Sequence, residues 1–248
     1  MKMTSDEVKQ NLDNANSELL AKIEKNTPVI FKEKETTDVI SEKRCYESVL
    51  RKSEPIHAEV FFYTPISQEK IAHELLHMYI ACTFGDCADI IYIDPKCIFT
   101  TCLFTDTFCT DLLNQSEHVI MYPLYKRMGY DSDLFVESLV DMHDAEYQSL
   151  LSYDIQNKGL YSSRNVDCFI RLCIYYMSFP LDNRYKRKCK QLRSIEKSLY
   201  SIIETYFNQL RSITLSSPNS KVLQQIYKSL RDNIARWVNS RNIRYDGI

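Results

Sequence analysis

The residues with the clearest chemistry are His73-Glu74-Leu75-Leu76-His77. Side chains four apart on a helix share a face, with Cβ atoms about 5–6 Å apart. His73 and His77 can therefore converge on one ion, and neutral imidazole nitrogens suit zinc. Glu74 adjoins the first ligand. A bound metal lowers the pKa of a coordinated water to about 7, and a neighbouring carboxylate can take its proton as general base. The spacing points to Zn2+ and to hydrolysis, with Glu74 catalytic and His73 and His77 as ligands. The plainer reading is a pair of packed histidines in a helical core.

The pattern works only on a helix, and the flanks supply one. Thr64 or Ser67 can cap its start, Pro65 suits a first helical position, and Gly85 suits the stop after Phe84. Leu75 and Leu76 give the helix an apolar back. Residues 57–64, His-Ala-Glu-Val-Phe-Phe-Tyr-Thr, read as a strand closed by Pro65. A strand beside such a helix could pair with the backbone of a bound peptide.

These five residues resemble the zinc metallopeptidases that carry HExxH, the zincins. The resemblance extends over about 70 residues, from His57 to Met128. It implies zinc on His73 and His77 with Glu74 as base and proton shuttle. Tyr79-Ile80-Ala81-Cys82 stands where a longer HExxHxxGxxH motif would continue, so the third ligand must come later, as in gluzincins. Glu117 ranks first, in a helix that is apolar around it (Leu113, Val119, Ile120, Met121). His118 is the alternative metal ligand. Glu137, Asp141 and His143 follow, in a second cluster where His143 could stabilise an oxyanion and so count as catalytic. With Met121-Tyr122-Pro123, the order loosely resembles small cytosolic zincins related to phage-repressor-cleaving and stress-regulator metallopeptidases. Their Glu-Ala-Asn-x-Phe-Ala sequence is not found here.

Composition removes other classes. The 248 residues include only 4 Gly, at 85, 129, 159 and 247, against roughly 17 at average usage. No GxGxxG and no GxxxxGK[ST] can be written, so phosphate-cradling α/β folds are excluded and helices are favoured. The 9 cysteines include no CxxC pair, which argues against a zinc ribbon. The polar start carries no apolar signal-peptide run, so reduced thiols and a cytoplasmic location are expected. The longest apolar stretch, Cys168 to Phe179, contains Arg171 and is too short to cross a membrane.

Periodicity predicts helices over 5–26, 38–52, 108–128, 133–151, 164–179, 184–213 and 220–239, and strands at 29–31 and 57–64. Residues 88–93 could be strand or helix. The expected fold is mainly α with a small β component: an N-terminal helical segment (1–56), a zincin-like core (57–180) and a basic C-terminal helical hairpin (181–248). From Leu181 onward, 14 Lys and Arg face 5 Asp and Glu, although the whole chain carries −2. Because the aromatics there follow the apolar stripe, nucleic acid is not favoured. An acidic protein partner fits better. The expected partner of the site is a protein or peptide substrate. The alternative is a non-catalytic helical module, metal-free or with a structural zinc, that recruits a partner through these helices.

Overall fold

The computed structural model describes residues 2–34, 46–85, 105–132, 135, 162–178, 183–215 and 218–243. Among them the chain is mainly α with a small β component. The helices are α1 (Ser5–Gln10), α2 (Asn14–Glu24), α3 (Gln68–Phe84), α4 (Asp106–Arg127), α5 (Ser163–Ser178), α6 (Asn183–Ile195), α7 (Lys197–Leu210) and α8 (Ser220–Asn239). The strands are β1 (Val29–Glu33), β2 (Glu47–Arg51) and β3 (His57–Phe62). Residues 1–85 with 121–138 form one compact unit, and residues 86–120 with 139–248 form a second.

In the first unit the sheet order is β1-β3-β2. β1 runs parallel to β3, with Phe31 opposite Val60, and β2 runs antiparallel, with Ser48 opposite Val60. Residues 1–56 and 57–85 thus share one sheet. Alternation sends Ala58, Val60 and Phe62 into the core, all fully buried. α3 packs against β2 and β3 on one side and against α2 on another. Leu75 and Leu76, the intervening residues of the histidine motif, are fully buried there.

The opposite face carries His57, Glu59 and Phe61. Glu59 is buried, and it pairs with Lys32 and with Arg51 (Nε–Oε2 2.9 Å). Hydrogen bonds from Lys32, then from Arg51, hold its carboxyl down to about 2.

Local chemistry sets the ends of the elements. Ser67 caps α3, its hydroxyl accepting from the N–H of Lys70 at 3.2 Å, and Gly85 stops it at φ 66°. The single helix expected over 5–26 is two. Thr4 and Glu7 form a capping box on α1, and Asp13 caps α2 by accepting from the N–H of Asn16 at 2.8 Å. The short polar side chains of Asn11 and Asp13 favour caps over helix interior. Gln68 then ties α2 to α3, its Oε1 accepting from the N–H of Asp13 at 3.1 Å and from Asn16 Nδ2 at 3.0 Å.

The helix expected over 38–52 is corrected at its end. Glu47–Arg51 is strand β2, because ladder bonds to β3 outweigh local helical periodicity. Residues 38–45 of that expectation, the element expected at 88–93, and all of 133–151 but Phe135 lie outside the described residues.

In the second unit α5 is buried on most sides, through residues such as Val166, Phe169, Ile170, Cys173 and Tyr176. It packs on α6 and α7, and α7 packs on α8. Trp237 donates from Nε1 to Ser198 Oγ at 2.7 Å, fastening the end of α8 to the start of α7. The helix expected over 184–213 is broken at Glu196, whose side chain accepts from the N–H of Ser198 at 3.1 Å. The densest basic run therefore forms a separate helix, α6, ahead of the α7–α8 hairpin. Cys109 and Cys173 are buried in the core of this unit, and burial pushes the Cys173 thiol well above its ordinary value. No helix among the described residues is long and apolar enough to cross a membrane.

Candidate metal centre

His73 and His77 sit one turn apart on α3, and their Nε2 atoms approach to 3.1 Å with ring centroids 4.9 Å apart. His118 is carried on α4. His118 is only 2% exposed and His77 9%, whereas His73 is half-buried. Burial, reinforced by His77, holds the His73 imidazole well below its ordinary pKa. A neutral ring keeps the lone pair that a metal needs.

Each ring is steadied by a neighbour. His118 Nδ1 lies 3.4 Å from Gln115 Oε1, and Ser178 Oγ donates to the same oxygen at 2.7 Å. An amide oxygen only accepts, so Nδ1 of His118 carries the proton. His73 packs against Phe135, centroid to centroid 5.0 Å, and Phe135 in turn meets Tyr125 at 4.8 Å and Tyr122 at 5.3 Å.

Glu74 is buried on α3 beside this pair. Burial raises its carboxyl above the usual range, while the charge of His77 and a hydrogen bond with the Ser48 side chain pull the other way. Ser48 lies on the core-facing side of β2, opposite Val60, which is how the sheet reaches the base.

Of the two candidates for a third ligand on α4, Glu117 is half-buried and the adjacent His118 is buried. Glu137, Asp141 and His143, the last expected to stabilise an oxyanion, lie outside the described residues. The platform expected for a substrate strand is corrected. β3 is central, with β1 and β2 on its two edges, so it offers no free ladder.

No family model, no curated protein and no solved structure matches this chain. The chemistry is therefore read from the donor set itself. Two imidazoles one helical turn apart fit a transition ion, since nitrogen donors suit zinc, copper, iron or nickel over calcium or magnesium. Gln115, Ser48 and Phe135 were not expected from sequence. Gln115 carried a faint signal, an amide one turn before a candidate ligand. Ser48 and Phe135 carried none, because only the fold brings them to the site.

Proposed function

We propose that this protein is a metal-dependent hydrolase, with zinc the first expectation for its ion and peptides or proteins for its substrate. The observation that carries the reading is the approach of His73 Nε2 to His77 Nε2 at 3.1 Å on α3, with Glu74 buried alongside. When bound, the ion would supply a polarised water of lowered pKa and a Lewis acid for a carbonyl oxygen. His73 and His77 would hold it, with His118 the third ligand proposed from sequence and Gln115 fixing its tautomer. Glu74 would accept a proton at its carboxylate, its orientation set by Ser48.

Peptide as substrate is supported by the resemblance of His73-Glu74-Leu75-Leu76-His77 to the zincins and by the sheet. An extended peptide needs an unpaired strand edge. The outer side of β1 is covered, since its Phe31 N–H donates to Ser5 Oγ at 3.0 Å. β2 has no strand on its outer side among the described residues, and it is the strand that bears Ser48 against Glu74. A peptide added to β2 would run beside the proposed base.

The test is elemental analysis of the purified native protein, followed by hydrolysis of casein. Zinc near one equivalent is expected. Glu74→Gln should keep the ion and abolish cleavage, and His77→Ala should lose the ion. Native protein devoid of transition metal and unable to take up added zinc would sink the reading.

A further inference from the structure

We infer that one turn of α6 is a docking surface for an acidic protein segment, held by Lys186, Arg187 and Lys190. This turn belongs to the second unit and owes nothing to the metal reading. Spacing divides the helix into two faces. Tyr185 and Leu192 are buried and Cys189 is half-buried, at intervals of four and three, and α6 packs on α5 and α7. Lys186, Arg187 and Lys190 are exposed. At about 100° per residue they point well away from the buried side, and residues three or four apart have Cβ atoms about 5–6 Å apart.

These three cations make no ion pair among the described residues. Two others on the helix are engaged. Lys188 lies over the Tyr176 ring at 5.0 Å, and Arg193 lies 3.9 Å from Glu204 and over the Tyr200 ring at 5.8 Å. Like charges on one turn repel and disfavour the helix that carries them. An anion set against the turn relieves that repulsion.

Carboxylates suit this turn better than nucleic acid or lipid. Every described aromatic of α5 to α8 is buried, Tyr176, Tyr185, Tyr200 and Trp237 among them, so none offers a ring for base stacking. The Arg193–Glu204 pair and Glu196 end the row, where a phosphate track would meet negative charge. A helix that lies on a membrane keeps an apolar face free beside its cations, whereas that face of α6 is occupied by α5 and α7. A protein segment with carboxylates three and four residues apart repeats the spacing of the cations. The same density is missing from α8, whose exposed Lys221, Lys228 and Arg236 stand two turns from one another.

The test titrates full-length protein into a fluorescein-labelled helical peptide bearing glutamates three and four residues apart, read by anisotropy at low salt. Binding is expected, and it should fade as salt shortens the screening length. Lys186→Gln/Arg187→Gln/Lys190→Gln should weaken it about tenfold, the scale of three exposed charge pairs. Lys221→Gln/Lys228→Gln/Arg236→Gln removes the same charge from α8 and should leave affinity within a factor of about two. In Lys186→Glu/Arg187→Glu/Lys190→Glu, a peptide with lysines in place of the glutamates should bind where it does not bind native protein, a gain that misfolding cannot mimic. No peptide binding by native protein, equal affinity in native protein and the α6 variant, or equal loss in the two glutamine variants would each overturn the inference. So would tighter binding of a short DNA duplex that the α6 variant loses, which would make the turn a nucleic-acid surface.

Discussion

Gln115 Oε1 stands 3.4 Å from Nδ1 of His118 and also receives the hydroxyl of Ser178 at 2.7 Å. One buried amide oxygen thereby fixes the tautomer of His118. Partners of this kind commonly contribute about 10–100-fold to metal affinity. Gln115→Ala should weaken zinc binding by a factor in that range, read by competition with a chromophoric chelator. Gln115→Glu, which still accepts, should restore most of it. Equal affinity in all three proteins would show that the contact has no bearing on the ion.

The two adjacent candidates on α4 make opposite predictions. His118→Ala should reduce zinc affinity by more than about 100-fold, exceeding the loss of a supporting contact. Glu117→Gln should leave it within a factor of about two. The same chelator competition checks both, and the reverse ranking would restore Glu117 as the ligand.

Ser48 touches the proposed base without belonging to the metal group. Ser48→Ala should keep one equivalent of zinc and lower the turnover of casein about tenfold, the scale of a lost hydrogen bond to a charged group. Ser48→Thr, which keeps the hydroxyl, should recover activity. A drop in zinc content alongside turnover would instead assign Ser48 to folding of the site.

Glu59 gives the fold a pH dependence of definite sign. Its carboxyl is held down to about 2 from 4.5 by the cations Lys32 and Arg51, with His57 Nε2 also 3.5 Å away. A lowered folded-state value means a stabilising contribution that is present above about 4.5 and lost as pH falls toward 2. Urea unfolding midpoints should therefore fall across that window. In Glu59→Gln the fall should be shallower, and parallel curves for the two proteins would reject the assignment.

How far the sequence reached depended on whether the cause was local. Helix α3 was legible to its boundaries, because Ser67 and Gly85 are local signals and the two histidines lie within them. Residues 220–239 were legible for the same reason, with Asn219 as cap. Residues 47–51 were not, since their strand exists only through pairing with β3. The break at Glu196 was missed because apolar spacing continues across it. For the third ligand, charge favoured the carboxylate of Glu117 over the adjacent imidazole of His118, and the choice between them depends on packing that neither residue encodes alone.

The sealed thiols of the second unit have a practical consequence. Cys109 and Cys173 are closed off from solvent, and a thiol reacts as thiolate once it is reached. A disulfide reagent added to native protein will therefore label these two positions only when their helices part. The rate of labelling is a clock on the opening of that core, built into the chain without an added probe.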